Sequence, residues 1–154
     1  MSNEKSDAFG PADLSQFGDC ACFNLRKAAR IVTQIYDDAL RPTGLRATQT
    51  PILATLLAHA PLTVAELSER TALDRTTLTR SLKPLERDGL IRSRPGGDRR
   101  VRELLLTPRG KRVLEKAYPI WLAVQQRVRR RVGASAMDEL VGGARRVVEE
   151  LQSA

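Results

Sequence analysis

Residues 74–106 carry the most structural information, and they read Asp74-Arg-Thr-Thr-Leu-Thr-Arg-Ser-Leu-Lys-Pro-Leu-Glu-Arg-Asp88, Gly89, Leu90-Ile-Arg-Ser-Arg94, Pro95-Gly-Gly-Asp-Arg-Arg100 and Val101-Arg-Glu-Leu-Leu-Leu106. Three leucines at steps of four and three, preceded by the N-cap residue Asp74 and followed by Gly89, predict a short amphipathic helix. Two β-prone runs around a Gly-Gly-Asp turn then predict a β-hairpin. The stretch therefore predicts a helix followed directly by a hairpin.

The outward face of this helix is rich in short hydroxyls and long cations. Its members are Arg75, Thr76, Thr79, Arg80 and Lys83. Pro84 lies ten residues past the cap, where its ring and missing N–H are expected to kink the helix at a cost of about 3 kcal/mol if packing does not offset it.

Two more short helices are predicted upstream. One begins near Thr48, buries Ile52, Leu53, Leu56 and Leu57, and ends before Pro61. The next begins at the capping box Thr63-Val-Ala-Glu66, in which hydroxyl and carboxylate satisfy reciprocal backbone donors. Three short helices followed by a hairpin form a winged helix-turn-helix.

Long amphipathic helices flank this region. The first runs from the predicted cap Asp19 to Leu40 and carries one apolar seam, which comprises Cys22, Leu25, Ala29, Val32, Tyr36 and Ala39. Thr107-Pro108 opens another helix, and Gly133 or Ser135 precedes the last, whose apolar stripe comprises Met137, Leu140, Ala144, Val147 and Leu151. We expect a mainly α fold with a small β-hairpin wing (α+β), divided into a flexible arm (1–18), a helix (19–45), the winged helix-turn-helix (46–106) and C-terminal helices (107–154).

Composition narrows the classes of function. The chain has 154 residues, 26 Lys plus Arg against 18 Asp plus Glu, and a net charge of +8, which is typical of a protein that binds a polyanion. The single histidine argues against a histidine metal site or a Ser-His-Asp triad, so no metal, cofactor or enzymatic activity is expected. Cys20 and Cys22 are too close for a useful structural disulfide, and we expect thiols in a cytoplasmic protein without a membrane span.

Helix and hairpin together fit double-stranded DNA. The major groove of B-DNA, about 12 Å wide, admits an α-helix, and outward hydroxyls and cations meet base edges and phosphates there. A glycine-rich loop carrying Arg99 and Arg100 fits the narrow, electronegative minor groove beside it. The residues therefore predict a sequence-specific DNA-binding protein.

The sequence resembles the MarR family of bacterial transcription regulators. The resemblance covers about residues 20–152 and is carried by Thr48-Gln49, Leu73-Asp-Arg-Thr-Thr-Leu-Thr-Arg80, Leu85-Glu-Arg-Asp-Gly-Leu-Ile91, Asp98-Arg-Arg100 and Leu106-Thr-Pro-Arg-Gly110. It implies a homodimer whose terminal helices intertwine and whose two winged regions bind a pseudo-palindromic operator as a repressor. It also implies that Asp98 holds a loop arginine and that Arg100 enters the minor groove. By the same resemblance, the groove-reading positions are Arg75, Thr76, Thr77, Thr79 and Arg80.

Two signals are compatible with the resemblance. A small aromatic or phenolic acid is one, since many family members bind such acids between the dimerisation helices and the winged region. The candidate carboxylate partners are Arg26 and Arg30, beside Lys27, and the candidate apolar walls are Phe23, Tyr36 and Trp121. Thiol oxidation is the other, because Cys22-Phe23 resembles the reactive-cysteine placement of the organic-hydroperoxide-sensing branch, with Cys20 nearby.

Two other classes of function stay open at this point. One is a thiol-dependent DNA repair enzyme. Such an enzyme needs a base near its thiol, and none adjoins Cys20 or Cys22 in the sequence. The other is an interaction protein that uses the winged helix to bind protein or RNA.

Overall fold

The computed structural model describes residues 16–97 and 101–152. Its helices are α1 (Ala21–Leu40), α2 (Thr50–His59), α3 (Val64–Thr71), α4 (Arg75–Arg87), α5 (Pro108–Val132) and α6 (Ala134–Gln152), and its strands are β1 (Leu62–Thr63), β2 (Ile91–Pro95) and β3 (Arg102–Leu106). The mainly α fold with a small winged β-structure is confirmed. Among the described helices, none combines the length and the apolar character needed to cross a bilayer.

The chain divides into two compact units, one up to Ile35 and one from Tyr36 onward. In the first unit, Gln16–Asp19 form a 3-10 turn, and α1 begins at Ala21 and not at the predicted cap Asp19. The side chain of Asn24 connects turn and helix, because its Nδ2 donates to the carbonyls of Gly18 (2.6 Å) and Cys20 (3.0 Å). The prediction missed the start because the turn already uses Asp19.

The second unit contains a three-stranded antiparallel sheet in the order β1-β3-β2. Strands β2 and β3 form the predicted hairpin, with Ile91 opposite Leu106 and Arg94 opposite Glu103. Strand β1 adds Leu62 opposite Leu104. The third strand was not predicted, because two residues are too few to show an alternating pattern. Thr63 ends β1 and caps α3 through the predicted capping box with Glu66.

One apolar core holds the second unit together. Helices α2, α3, α4 and α5 and all three strands contribute to it, chiefly through leucines: Leu40, Leu45, Ile52, Leu53, Leu56, Leu62, Leu67, Leu78, Leu82, Leu85, Leu90, Ile91, Leu104, Leu114 and Ala117. The prediction for Leu57 was wrong, since this side chain is 50% exposed and lines an open groove with Leu105 and Leu106. Leu53 and Leu56 occupy the inward face of α2, and Leu57 lies beside that face on the helix surface.

Much of the two predicted apolar seams is exposed within the described single chain, although Val32, Tyr36 and Ala39 on α1 are half-buried. On α1, Cys22, Leu25 and Ala29 are exposed, as is Phe23 at 56%. On α6 only Met137 of the predicted stripe is buried. Leu140, Val147 and Leu151 are exposed, and so are their neighbours Val141 and Val148. The 3.6-residue period correctly identified apolar faces, but a period does not say whether the covering surface belongs to the same chain.

Candidate nucleic-acid interface

The start of α4 is fixed by its cap. One carboxylate oxygen of Asp74 accepts from the backbone N–H groups of Thr76 and Thr77, each at 2.9 Å, and the other accepts from the Thr77 hydroxyl at 2.5 Å. These hydrogen bonds, the Thr77 hydroxyl first, hold the pKa of Asp74 below its ordinary value. The first turn of α4 is therefore held in place by its own sequence.

Helix α4 turns one face to the core and leaves the other open. Leu78, Leu82 and Leu85 are buried. The structure brings the six predicted DNA-binding positions of the helix together on its exposed surface: Arg75, Thr76, Thr77, Thr79, Arg80 and Lys83. Helical geometry places Thr76, Arg80 and Lys83 opposite the buried leucines. Within the described residues, none of the cations Arg75, Arg80 and Lys83 has a carboxylate partner, so each is available to a phosphate or a base.

The threonines of α4 differ in what their hydroxyls offer. Thr77 donates to Asp74, and Thr79 donates to the carbonyl of Arg75 at 2.7 Å. Those two hydroxyl hydrogens are used inside the helix, so the oxygens present lone pairs outward. This difference between the threonines was not predicted.

Pro84 does not end the helix. Helix α4 continues to Arg87, and the carbonyl of Pro84 accepts from Asp88 N–H at 2.9 Å. Pro84 has no N–H, so the carbonyl of Arg80 lacks its usual helical donor. The proline lies after Thr76, Arg80 and Lys83, so the exposed face of the first two turns is regular helix.

A close contact joins the hairpin to α5 and explains the Leu106-Thr-Pro-Arg-Gly110 motif. Thr107 caps α5 by accepting from Gly110 N–H at 3.0 Å, and its hydroxyl donates to the carbonyl of Gly89 at 2.7 Å. The backbone N–H of Thr107 donates to Leu90 at 3.0 Å. Gly110 is buried, and a Cβ atom there would lie 2.0 Å from the Leu90 carbonyl oxygen. The absence of a side chain at Gly110 thus lets α5 approach the end of α4 and the start of the wing.

The paired strands β2 and β3, which form the shank of the wing, carry two further contacts made by arginine side chains. Arg94 and Glu103, paired across the hairpin, form an ion pair at 3.0 Å. Arg102 donates to the Ser93 hydroxyl through Nε (3.2 Å) and Nη2 (2.6 Å). These contacts were not predicted, although the register of the hairpin places their partners side by side. The predicted tip residues Asp98, Arg99 and Arg100 lie outside the described residues.

The candidate effector residues fall into the two units. Phe23, Arg26 and Arg30 lie together in the first, where they line an open groove on α1 with Lys27 and Ala29. Tyr36 and Trp121 belong to the second.

These two aromatic residues already have partners in the second unit. The Tyr36 hydroxyl donates a hydrogen bond to Gln125 Oε1, and burial raises the pKa of Tyr36. Trp121 stacks on Tyr118 with ring centroids 6.1 Å apart. Tyr36 therefore helps to attach the end of α1 to α5, and Trp121 packs along α5 itself.

The cysteines lie at the start of α1. Cys20 is half-buried, Cys22 is exposed, and both are free thiols. Within residues 16–97 and 101–152, no group of three or more His, Cys, Asp or Glu side chains is placed to hold a metal ion.

Comparison with known proteins agrees with this geometry. A model of the MarR family matches residues 43–101, which contain α2 to β2. The organic hydroperoxide resistance transcriptional regulator of Bacillus subtilis is 37% identical over 100 residues, which is 64% of this chain and 68% of that protein.

Solved structures extend the comparison to the whole fold. The M. tuberculosis transcriptional regulator MosR, in complex with DNA, is 40% identical, with a TM-score of 0.74 over 83% of this chain and 96% of that one. The transcriptional repressor CouR, bound to a 23-mer DNA duplex, shares the fold at 22% identity, with a TM-score of 0.76 over 91% and 98% of the two chains. These relatives are transcription regulators and not enzymes, which argues against a DNA repair enzyme. By its fold, its exposed α4 surface and these similarities, the chain belongs to the MarR family and is a DNA-binding transcription regulator.

Proposed function

We propose that the chain is a homodimeric repressor that places α4 in the major groove of each half of a pseudo-palindromic operator, with the wing along the adjacent minor groove. The observation that carries the proposal is the capped α4, whose exposed Thr76, Arg80 and Lys83 lie opposite its buried leucines. Lys83 neutralises a phosphate, and Thr76 and the arginines of α4 meet base edges. A regulator that acts on operator DNA is expected in the cytoplasm.

The exposed apolar faces of the terminal helices support the homodimer. Phe23 and Leu25 on α1 and Val148 and Leu151 on α6 are too exposed for a stable free surface, and Leu151 reaches 74%. A second copy of the chain offers matching faces through two-fold symmetry. In this proposal residues 19–45 and 107–154 form the dimer, residues 46–106 bind DNA, and residues 1–18 form the arm.

The DNA-binding proposal is tested with a duplex selected from a random pool. Arg75→Ala and Arg100→Ala are each expected to weaken binding by on the order of 1 to 3 kcal/mol if the arginine contacts a base. Arg130→Ala is the matched control, because Arg130, like Arg75, is exposed but lies on α5, on the side opposite its buried residues. If Arg75→Ala and Arg100→Ala bind as the control does, the winged helix serves a protein or RNA partner instead.

Thiol oxidation is the signal that the similarities favour. The relative at 37% identity is named for organic hydroperoxide resistance, and Cys22 is an exposed free thiol at the start of α1. In the proposed step the Cys22 sulfur attacks the hydroperoxide, the O–O bond breaks, and the products are a sulfenic acid and an alcohol. Oxidation acts by favouring a dimer geometry in which the two α4 helices miss the operator spacing.

An aromatic or phenolic acid is the second candidate signal. The groove on α1 places Arg26, Lys27 and Arg30 beside Phe23, a combination that suits a carboxylate attached to an apolar ring. In this proposal Tyr36 and Trp121 support the site as aromatic packing residues.

One experiment separates the two signals. Operator release is measured with cumene hydroperoxide and, separately, with salicylate, for the unmodified chain and for Cys22→Ser, Cys20→Ser and Arg26→Ala. Thiol control predicts release by the hydroperoxide that Cys22→Ser abolishes and Arg26→Ala leaves intact. Release by salicylate that Arg26→Ala alone abolishes would contradict thiol control and favour the carboxylate site.

A further inference from the structure

The two faces of the wing hairpin differ in how their arginine side chains are partnered. Side chains alternate across a strand, so Arg94 and Glu103 share one face, while Ser93, Leu104 and Arg102 share the other. On the first face, Glu103 balances the charge of Arg94 at 3.0 Å. On the second face, the described partner of Arg102 is the neutral Ser93 hydroxyl. Arg92 lies on the first face, so both faces keep positive charge, and what distinguishes Arg102 is that a neutral side chain holds its guanidinium.

The face that carries Arg102 is the one turned toward α4. It contains Ile91 and Leu104, which are buried in the core, and β2 packs against α4. Arg102 extends the same face outward beyond Leu104 and is exposed. It lies opposite Pro95, in the last pair of the hairpin before the tip.

The Ser93 contact leaves one edge of the Arg102 guanidinium free. Nε and Nη2 point to the same hydroxyl, so one edge of the planar fork is anchored. The opposite edge, Nη1 with the second Nη2 hydrogen, has no acceptor among the described residues. An arginine edge with two parallel N–H donors matches the oxygens of a phosphate. Anchoring also reduces the rotamer entropy that a free arginine loses on binding.

We propose that Arg102, positioned by Ser93, is a phosphate contact of the wing shank, separate from the predicted minor-groove contact of the tip. Arg94 does not take this role, because Glu103 neutralises it on the other face. The inference rests on the proposed placement of the wing along DNA. Arg102 then adds affinity and fixes the wing on the DNA backbone, and it reads no base sequence.

Binding affinity is measured by fluorescence anisotropy between 50 and 200 mM salt. The titrations use a selected operator duplex and an unrelated duplex of equal length. Arg102→Gln is expected to weaken binding to both duplexes by roughly three- to tenfold and to reduce the slope of log affinity against log salt by about 0.9. The matched control is the double variant Arg94→Gln/Glu103→Gln, which removes a cross-strand pair with no net change in charge. It is expected to keep the slope of the unmodified chain.

Ser93 is tested as a positioning residue by a double-mutant cycle. Ser93→Ala is expected to weaken binding less than Arg102→Gln does, and to have no further effect when Arg102 is already Gln. An unchanged salt slope in Arg102→Gln, or a loss confined to the operator duplex, would overturn the phosphate assignment. If the unmodified chain shows no preference for the operator, the proposed function fails instead, so the two failures are distinguishable. Circular dichroism melting confirms that each variant is folded.

Discussion

Replacing Gly110 by alanine tests whether the contact between α5 and the wing holds the DNA-binding region together. The added Cβ would lie 2.0 Å from the Leu90 carbonyl oxygen, 2.9 Å from its carbon and 2.8 Å from Leu106 Cδ1. Two of these three atoms belong to the backbone, so no side-chain rotation relieves the clash. The start of α5 must move away from Leu90.

The expected loss of stability combines the hydrogen bonds that this movement breaks with the cost of overpacking the site. Leu90 accepts from the backbone N–H of Thr107 at 3.0 Å, and the Thr107 hydroxyl donates to the Gly89 carbonyl at 2.7 Å. Two such bonds contribute about 1 kcal/mol each, and overpacking a buried site costs about 1 to 3 kcal/mol. The helix propensity of alanine returns at most about 1 kcal/mol. The net loss is about 2 to 4 kcal/mol, or roughly 5 to 15 °C in Tm for a chain of this size.

Thermal or urea unfolding, followed by circular dichroism, measures this loss. Gly142→Ala is the matched control, because Gly142 lies within α6, and a Cβ there meets nothing within 4 Å. Its stability is expected to be unchanged or higher by up to about 1 kcal/mol. If Gly110→Ala melts within about 2 °C of the unmodified chain, the contact does not limit the fold and the explanation of the motif is wrong.

Three other predictions concern the core, the cap and the dimer. Leu56→Ala removes a side chain that is 1% exposed and should lower the free energy of unfolding by about 2 to 5 kcal/mol in urea, whereas a loss below about 1 kcal/mol would contradict the core assignment. The folded-state pKa of Asp74 is lowered, so its capping contribution is full above the ordinary pKa of about 3.9 and is lost as pH falls through the folded value. Asp74→Asn should therefore reduce the pH dependence of stability in this acid range, measured by circular dichroism during acid unfolding. An unaltered curve would show that the Asp74 carboxyl is not the group that titrates. Val148→Glu places a charge on the exposed α6 face and should yield monomers in sedimentation measurements, and an intact dimer would move the interface elsewhere.

Local sequence patterns correctly predicted the caps of α3, α4 and α5 and the buried face of α4. Asp74, Thr63 with Glu66, and Thr107 each cap the helix expected of them, because capping needs only residues within one turn. Leu78, Leu82 and Leu85 are buried as their spacing predicted. The exposed cations of α4 followed from the same period, since burying one face of a short helix exposes the other.

What the sequence did not show depends on pairings between distant residues. Strand β1 exists because Leu62 lies opposite Leu104, forty-two positions later. The Ser93 anchor of Arg102 follows from the hairpin register and not from any local motif. The apolar seams of α1 and α6 were predicted, but their exposure within one chain was not, because an apolar period is the same whether its cover is intramolecular or a second chain.

Selection of bound duplexes from a random pool, followed by sequencing, tests the central claim most directly. A dimer that uses two copies of α4 should enrich an inverted repeat whose half-sites are centred about 10 base pairs, or a multiple of that, apart. Enrichment should be lost in Arg80→Ala, because Arg80 lies at the centre of the exposed face of α4. A pool that shows no enriched sequence, or a single unrepeated site bound by a monomer, would contradict the account.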